Sequence, residues 1–403
     1  MGDLDPIVVT GMGALGGGAG SAAALYEAAL TGRSPAEWVE LPGIDRPLAA
    51  SRAPDPVLGA EFRYARRLDR SAALGLAAAR EAILQARLLG VGERSRIGVL
   101  LGSSRGPVGR GVAVAQDFAT GSVSATSAAE TGWLSLSGLI AQVYGLGGQA
   151  AVISATCASA AVAICIGALH IAADEADAMV VGGTEAPLVA EIAAQLVAAR
   201  VTGWDNDPTR TCKPFDEERN GLMMGEGAGA LVIERESKAR ARGVEPLARL
   251  SGWAYGADDG GRTGLTADGA GLSRVVARAL RRAAIKPSRI GYINAHGTAT
   301  RLNDPIEARA LSLIFGDGQV PPLSSTKPIT GHCLGSTPAL EAILAVESMR
   351  AGRLPPTANH RRLDPACPVD VIAGAPRQDA VSAVLSTSMG FWGVQAALIF
   401  EQA

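Results

Sequence analysis

The sequence lacks the features that mark membrane, secreted or nucleic-acid-binding proteins. Its 403 residues carry 37 Lys and Arg against 39 Asp and Glu, a formal net charge of −2, and neither sign is gathered into blocks. Such a balance gives no electrostatic reason to expect a nucleic acid or a membrane surface as a partner. The longest apolar run, around residues 160–173, is interrupted by His170 and is shorter than the ~20 residues of a membrane span.

Cysteine usage and the amino-terminal sequence both favour a cytoplasmic protein. The start, MGDLDPIVVTG, has no basic stretch followed by an apolar segment, so we expect no signal peptide. The five cysteines are an odd number and form no CxxC pair. Both observations favour free thiols in a reducing compartment.

Short apolar runs alternate with longer helical patterns along the whole chain. The predicted strands are Ile7–Thr10, Ile97–Leu101, Ala151–Ser154, Met179–Gly182, Ala230–Glu234, Leu247–Tyr255, Ile290–Asn294, Leu323–Ser325, Ala383–Ser386 and Ala396–Glu401. The predicted helices are Gly20–Leu30, Arg70–Ala86, Cys157–Ala173, Leu272–Ala284, Pro305–Phe315 and Pro338–Ala351. This alternation predicts an α/β fold with a largely parallel, buried sheet.

A segment with Gly and Pro punctuation, Arg240–Leu250, divides the chain into two parts of similar organisation. Residues 1–243 and residues 244–403 each run from a strand through helices to further strands. We therefore expect two duplicated halves that meet near position 243.

One motif near the amino terminus imitates a dinucleotide-binding site. The run Gly11–Gly16 fits G-x-G-x-x-G and follows a predicted strand. A dinucleotide site also needs a second strand that ends in an acidic residue about 20 residues later. Residues 30–43, LTGRSPAEWVELPG, contain two prolines and do not resemble a strand. We interpret the glycines as a tight strand-to-helix turn and not as a cofactor site.

The segment Ile153–Cys165, ISATCASAAVAIC, places Cys157 between a predicted strand and a predicted helix. At the first turn of a helix, unpaired N–H groups and the helix dipole favour an anion, so we expect a lowered pKa and a thiolate at Cys157. The helix is apolar on all sides and built from small residues. This predicts a buried helix that packs closely against a second one across a pseudo-twofold axis. On this helix, Cys165 is predicted to be a packing residue and His170 a core histidine.

Two of the four histidines follow predicted strands of the second half. His296 comes just after the strand that ends at residue 294, and Lys327 and His332 come after the strand that ends at residue 325. Residues at the carboxyl ends of parallel strands converge on one crevice. We therefore expect Cys157, His296 and His332 to meet there.

The motifs around these residues resemble the β-ketoacyl-acyl-carrier-protein synthases of the thiolase-fold superfamily. They occur in family order over essentially the whole chain, as SATCASA, TRTCKPFDEERNGLMMGEGAGALVIE, NAHGTATRLNDPIEA, SSTKPITGHCLGS, LPPTAN and STSMGFWG. The resemblance implies a thiolase-like α/β fold, with duplicated halves in a five-layered αβαβα arrangement. It also implies an acyl carrier protein as partner and a dimer, formed with a second copy or with a chain-length-factor-like subunit.

The resemblance also implies roles for the residues at the strand ends. Cys157 would accept an acyl group from the carrier protein. His296 and His332 would bind the malonyl thioester carbonyl and promote loss of carbon dioxide, after which the enolate attacks the acyl-cysteine. The backbone N–H groups of Cys157 and Phe391 would form the oxyanion hole, and Phe391 also resembles the acyl gate.

Four further residues match supporting positions of that family. Lys327 and Glu307 match a supporting pair, which either orients and tunes the second histidine or is a structural ion pair. Thr298 and Thr300 match positions that hydrogen-bond the pantetheine arm. Since phosphopantetheine belongs to the carrier protein, the resemblance implies no metal and no organic cofactor of the enzyme itself.

The resemblance separates this chain from neighbouring classes. Thiolases have a second cysteine in the C-terminal Gly-rich loop, and initiating synthases have Asn at the position of His332, whereas this chain has neither feature. The elongating class remains. TRLND, LTADGAG, LPPTANHRRLDPACPVD and the Gln of GFWGVQ resemble type II polyketide ketosynthases more than fatty-acid enzymes. A non-condensing or cyclising acyltransferase and a non-catalytic partner subunit stay open as alternatives.

Three residues near the expected acyl pocket depart from the family pattern. Trp392 stands where relatives have Gly, Arg105 where they often have an apolar residue, and Met389 where Phe is common. We predict that Trp392 narrows the approach to Cys157 and that the acyl substrate is unusual, being polar, short or rigidly conjugated.

Overall fold

The computed structural model describes residues 5–58, 68–258 and 265–403. Within these ranges, one large mixed sheet contains ten strands, most of them buried. They are β1 (Ile7–Gly16), β2 (Ile97–Gly102), β3 (Ala150–Ile153), β4 (Ala178–Glu185), β5 (Gly227–Arg235), β6 (Ala248–Ala257), β7 (Tyr292–Asn294), β8 (Leu323–Ser324), β9 (Ala383–Met389) and β10 (Val394–Glu401).

The helices of the described ranges surround this sheet. They are α1 (Ala22–Leu30), α2 (Arg70–Gln85), α3 (Val108–Ala119), α4 (Ser127–Thr131), α5 (Ser135–Tyr144), α6 (Ser159–Ala172), α7 (Ala190–Ala198), α8 (Glu236–Ala241), α9 (Ala270–Ala283), α10 (Asn303–Phe315), α11 (Lys327–Thr330) and α12 (Thr337–Ala351). Short strands at Glu37–Val39, Leu48–Ser51 and Met224–Gly225 form a small sheet, and Arg353–Leu354 pairs with Arg377–Gln378. In the part of the chain described, no helix has the length and apolar character needed to cross a membrane.

The strand order of the large sheet is the same in both halves of the chain. Across the sheet the order is β3-β2-β4-β5-β1-β6-β10-β9-β7-β8. From the central β1–β6 pair outward, the first half has the order β1-β5-β4-β2-β3 and the second half has the order β6-β10-β9-β7-β8. In both halves this is the first, fifth, fourth, second and third strand along the chain. Two residue pairs, Val8 with Arg249 and Val9 with Ala248, join the halves. A domain boundary at residues 243/244 stays a prediction.

The helices divide this architecture into layers. α6 and α12 contact each other and strands of both half-sheets, so they form the central layer. α2 and α5 pack on strands of the first half, and α9 and α10 lie together on the second half, with α9 against the strands. The predicted αβαβα arrangement is therefore confirmed, and so is the packing of the helix after Cys157 against a second central helix.

Small residues on both sides of the contact allow α6 to lie close to the sheet. On α6 itself, a Cβ added at Gly167 would lie 2.4 Å from Val181 Cγ1. A Cβ added at Gly102 would lie 2.2 Å from the backbone nitrogen of Ala160, and one added at Gly183 would lie 2.7 Å from the Ala160 Cβ. Larger side chains at these positions would push the helix away from β2 and β4. The thin helix is thus a requirement of its central place, because both half-sheets pack against it.

The expectation of a largely parallel sheet is wrong. Five neighbouring pairs in the described sheet are antiparallel, namely β1–β5, β1–β6, β4–β5, β6–β10 and β9–β10. The parallel pairs are β2–β3, β2–β4, β7–β8 and β7–β9. A strand that is buried on both faces is apolar whether it runs parallel or antiparallel to its neighbours. Its composition therefore cannot reveal its direction. The strands that lead to the candidate site are nevertheless parallel within each half.

The Gly-rich motif near the amino terminus lies inside β1 and is not the predicted turn. A Cβ at Gly11 would lie 2.0 Å from the carbonyl oxygen of Ala82, and a Cβ at Gly13 would lie 2.1 Å from that of Ala78. These glycines therefore let α2 pack directly on β1. The turn itself follows at Gly17 and Gly18, whose φ angles are 60° and 75°.

Candidate active site

A cavity of about 460 Å³ opens where loops from both halves meet. Cys157, His296 and His332 line it, together with Met389 and Phe391. The three residues that the sequence places after strands of different halves thus share one cavity, as predicted.

Cys157 lies at the end of a strained turn between β3 and α6. Thr156 has a φ of 49°, which is unusual for a β-branched residue. The Thr156 carbonyl oxygen accepts hydrogen bonds from the hydroxyls of Ser159 at 2.6 Å and Ser104 at 2.7 Å. Ser159 also accepts one from the Ala155 N–H at 2.9 Å. These contacts hold the turn that presents the sulfur.

The expectation of a resting thiolate at Cys157 is wrong. By surface area Cys157 is half-buried, because it faces the cavity, but the surrounding protein desolvates the sulfur. This burial raises the pKa of Cys157 to about 11, although the charges of Lys327 and Arg105 and the Phe391 N–H oppose the shift. The residue also precedes the first residue of α6 by two positions. Cys157 is therefore a thiol at neutral pH.

The two histidines are neutral at physiological pH. Their rings are 5.5 Å apart between centroids and nearly perpendicular, at 83°. Burial, and then the positive charge of Lys327, lower the pKa of both His296 and His332 well below the ordinary value. His296 Nδ1 accepts from Lys327 Nζ at 3.3 Å, which leaves the proton of the neutral ring on Nε2. His332 Nδ1 shares a hydrogen bond with Thr337 Oγ1 at 3.1 Å.

Lys327 has a different partner from the one predicted. Its Nζ donates to Glu341 Oε1 at 2.5 Å, and both side chains are essentially inaccessible. It also donates to the carbonyl oxygen of His296. The prediction that Lys327 pairs with Glu307 is wrong, and the histidine it contacts is His296 and not His332.

Glu307 instead fixes the loop that carries the first histidine. Its carboxylate accepts hydrogen bonds from the backbone N–H groups of His296 and Gly297, both at 2.8 Å, and from the Thr387 hydroxyl at 2.7 Å. It is fully buried on α10. Glu307 therefore acts on the main chain of His296.

The remaining predicted site residues surround the cavity. Thr298 and Thr300 line it, with their hydroxyl oxygens 3.0 Å apart. The backbone N–H of Phe391 faces the sulfur of Cys157 and lowers the pKa of that thiol. Gly390 precedes Phe391, and a Cβ there would lie 2.1 Å from Thr156 Oγ1, so this turn touches the nucleophile loop. The pantetheine contacts and the oxyanion hole stay predictions.

Two of the three unusual residues lie away from the cavity wall. Trp392 is 66% exposed and is not among the described residues that line the cavity, so the prediction that it narrows the approach to Cys157 is wrong. Its backbone is left-handed, with a φ of 64°. Arg105 lines a separate cavity of about 640 Å³ beside α3, and its Nη1 donates to Gln195 Oε1 at 3.2 Å.

Sequence reasoning missed two buried carboxylates and misplaced one histidine. Glu341 gives no local signal, because it lies 14 residues after Lys327 on another helix. Glu185 does give one, since it is an acidic residue that ends an apolar strand. His170 is not in the core: its side chain is partly exposed and its Nδ1 lies 2.6 Å from Glu175.

Two family models together match most of the chain. The N-terminal domain of β-ketoacyl synthases matches residues 4–239, and the C-terminal domain matches residues 247–361. The chain belongs to the β-ketoacyl synthase family.

Relatives of this β-ketoacyl synthase match over their full length. A 3-oxoacyl-[acyl-carrier-protein] synthase 2 of Staphylococcus aureus (strain COL) is 32% identical over an alignment of 432 positions, which covers 98% of each chain. The "Oxytetracycline polyketide putative beta-ketoacyl synthase 1" of Streptomyces rimosus is 32% identical, covering 99% of this chain and 98% of the relative. Among solved structures, the ishigamide ketosynthase/chain length factor superposes with a TM-score of 0.90 at 27% identity, over 99% of both chains.

Proposed function

We propose that this protein is a β-ketoacyl-[acyl-carrier-protein] synthase that catalyses decarboxylative Claisen condensation. One observation carries the proposal: a cysteine and two neutral, buried histidines line the same cavity. A cysteine can hold an acyl group as a thioester, and two neutral imidazoles can donate to an enolate oxygen. The relatives named above support the same activity.

The first step is transfer of the acyl group to Cys157. The sulfur attacks the thioester carbonyl of an acyl-carrier, the bond to the pantetheine sulfur breaks, and the thiol proton ends on the released pantetheine. The N–H of Phe391, which lowers the pKa of the sulfur, is proposed to donate to the carbonyl oxygen as negative charge develops there, which is the role of an oxyanion hole.

The second step joins two carbons. The malonyl-carrier loses carbon dioxide, and its thioester carbonyl becomes an enolate that accepts hydrogen bonds from His296 and His332. The enolate carbon attacks the acyl-Cys157 carbonyl, the carbon–sulfur bond breaks, and the sulfur takes up a proton. Neutral rings are needed, because each must donate from Nε2 without carrying a full positive charge into the cavity.

The carrier protein supplies the flexible arm of both substrates. Thr298 and Thr300, at the cavity wall, are proposed to hydrogen-bond the pantetheine, and Arg200 and Arg301 line the same cavity. Since the side chains above and the carrier's arm account for every step, the proposed reaction calls for no metal and no cofactor of the enzyme.

We also propose that the protein acts as a dimer, with a second copy or with a chain-length-factor-like subunit. α3 has no buried residue, and Phe118 on it is 78% exposed. Trp133 and Leu134 nearby are also exposed, and β3 is an edge strand of the large sheet. Together they offer an apolar surface and a free strand edge, both of which favour association.

Pathway and location are proposed from the sequence motifs and the thiols. The motifs that resemble type II polyketide ketosynthases favour polyketide synthesis, while the two relatives named above, a 3-oxoacyl-[acyl-carrier-protein] synthase and a polyketide β-ketoacyl synthase, are equally similar to this chain. All five cysteines are free, which supports a cytoplasmic location. No observation favours a non-condensing acyltransferase, because Trp392 lies outside the cavity, or a non-catalytic subunit, because Cys157 lines it.

Intact-mass spectrometry with a panel of acyl-carriers tests the proposal. We expect a mass increase equal to the acyl group on Cys157, and carbon dioxide release when malonyl-carrier is then added. Cys157→Ala should show neither the mass increase nor product. Acylation without carbon dioxide release or chain extension would contradict condensation and leave an acyltransferase. No mass increase with any acyl-carrier would indicate a non-catalytic subunit.

A further inference from the structure

Glu185, at the end of β4, is a fully buried carboxylate that accepts four hydrogen bonds. Its Oε1 accepts from the Ser103 hydroxyl at 2.8 Å and the Arg105 N–H at 2.9 Å. Its Oε2 accepts from the N–H groups of Ser104 at 2.6 Å and Gly335 at 3.1 Å. A buried charge is tolerated only when it is compensated in this way.

These four bonds join the segments that hold the nucleophile and the second histidine. Ser104, held through its N–H, donates from its hydroxyl to the carbonyl oxygen of Thr156, the residue before Cys157. Gly335 follows His332 by three positions. A Cβ at Gly335 would lie 2.5 Å from Ser104 N and 2.8 Å from Glu185 Oε2, so the two segments press against each other at the carboxylate.

We propose that Glu185 is a positioning residue of the condensation reaction, whose carboxylate fixes the Thr156–Cys157 turn and the segment after His332 relative to each other. The inference rests on the proposed function, because it assigns Glu185 to that reaction. It parallels Glu307, which holds the main chain of His296. Two buried carboxylates would thus position all three residues at the cavity.

The same carboxylate has an opposite effect on the sulfur. Its negative charge raises the pKa of Cys157, against the positive charges of Lys327 and Arg105. Burial raises the pKa of Glu185 itself to about 7, opposed by its four donors, so it is ionised at pH 8. Glu185 therefore orients the nucleophile while disfavouring its thiolate, and a neutral replacement should separate the two effects.

The decisive variant is Glu185→Gln, measured at pH 8. The amide has nearly the same shape but turns one acceptor into a donor that faces N–H groups. We expect kcat for condensation to fall about 100-fold, as small misplacements of reacting groups cause, with KM for the acyl-carrier little changed. We also expect the pH midpoint for alkylation of Cys157 by iodoacetamide to move lower, because the negative charge is gone. Partial unfolding would also expose the thiol and lower its midpoint, because burial is what raises the Cys157 pKa most. The chemical-unfolding midpoint of Glu185→Gln is therefore measured alongside, and both changes should occur while the variant is still fully folded.

Glu81→Gln is the matched control. Glu81 on α2 also accepts backbone N–H bonds, from Ala14 at 3.0 Å and Ala22 at 3.1 Å, but lies in the outer layer. Glu81→Gln should lower the free energy of unfolding and leave both kcat and the pH midpoint for Cys157 alkylation unchanged. If Glu185→Gln matched the wild type in kcat, or lost activity with an unmoved midpoint, the inference would be wrong.

Ser104→Ala provides a second route if Glu185→Gln does not fold. It removes only the bond to Thr156, and kcat should fall severalfold at unchanged unfolding midpoint. Full activity in Ser104→Ala would also overturn the inference. The two proposals fail separately: if the wild type does not condense at all, the proposed function is wrong, while the alkylation midpoint still reports on Glu185.

Discussion

The two halves of the protein bring matching strand ends to one cavity and use them differently. β3 leads to Cys157 and its counterpart β8 leads to His332. β2 leads to the segment 103–105, whereas β7 leads to His296. β4 ends at Glu185, and its counterpart β9 ends beside the turn of Phe391. The first half thus contributes a nucleophile and its anchors, and the second half contributes the hydrogen-bond donors.

The difference lies in the loops and not in the sheet. Between β3 and α6, residues 154–158 leave room for one strained turn. Between β8 and α12, residues 325–336 include the short helix α11, so a buried Lys327 and His332 both fit. A duplicated scaffold therefore fixes where residues meet, and the length of each loop decides which chemistry it carries.

The largest expected effect is loss of Cys157, the nucleophile that the first half contributes to the cavity. Cys157→Ala should reduce condensation at least about 1,000-fold, as removal of a covalent nucleophile does, and abolish acylation by mass spectrometry. Cys165→Ala, eight residues on in α6, is the matched control, because that thiol is fully buried with a pKa raised to about 12. Acylation that survived Cys157→Ala, or was lost in Cys165→Ala, would place the nucleophile elsewhere.

Loss of a histidine from the second half should affect a different step from loss of Cys157. His296→Ala and His332→Ala should each lower kcat about 100- to 1,000-fold, the effect of removing one oxyanion donor, while acylation of Cys157 continues. Rapid-quench acylation and carbon dioxide release measure the two steps separately. His170→Ala, at a partly exposed position beside Glu175, should leave both unchanged. Equal loss of acylation and decarboxylation in the cavity variants would contradict a division of labour between the halves.

The sequence predicts the positions of the strands and helices better than the direction in which neighbouring strands run. Every strand of the large sheet falls on a predicted apolar run, and α1, α2, α6, α9, α10 and α12 fall on predicted helices. The antiparallel pairs were not predictable, since strands covered on both faces are apolar in either direction. α3 was missed because it has no buried residue and so lacks a core face.

The sequence also predicts the reacting residues better than the residues that position them and set their pKa values. Cys157, His296 and His332 lie in the loops that follow strand ends, so topology alone brings them together. The partner of Lys327 depends on how α12 lies against the second half-sheet, and neither Glu341 nor Glu307 is close to it in sequence. Ionisation of Cys157 depends on desolvation by residues from several elements, which spacing along the chain does not reveal.

Removal of Lys327 should shift the pH dependence of kcat, because Lys327 acts on both histidines of the second half. Its positive charge lowers the pKa of His296 and His332. In Lys327→Gln both pKa values should rise, so imidazolium forms at higher pH and the acid limb of the kcat profile moves upward. Breaking a buried ion pair with Glu341 should also cost about 3–5 kcal/mol of stability. Lys213→Gln, which breaks a pair with Asp205 at 2.8 Å, is the control. An acid limb that did not move in Lys327→Gln would mean that the histidines are held neutral by burial alone.

The smallest effect is expected at Trp392, where the turn of the second half departs from the family pattern. Its left-handed backbone, with φ 64° and ψ 19°, costs an L-residue about 1–2 kcal/mol, and Gly avoids that strain at an entropic cost of about 0.4–1 kcal/mol. Trp392→Gly should therefore stabilise the protein slightly, by about 0.5–1 kcal/mol in chemical unfolding.

Because the Trp392 side chain is exposed, Trp392→Gly should leave the acyl-chain preference unchanged. Trp392→Ala removes the indole but keeps the strain, and so should show no gain in stability. Arg105→Ala is the contrast, because Arg105 belongs to the nucleophile's half and its charge acts on Cys157. Since Arg105 lines a separate cavity, Arg105→Ala should also leave the acyl-chain preference unchanged, but it should raise the pKa of Cys157. A changed preference in both Trp392 variants would mean that the indole covers the cavity in the working enzyme, and the second half would then select the acyl group as well as activate the malonyl unit.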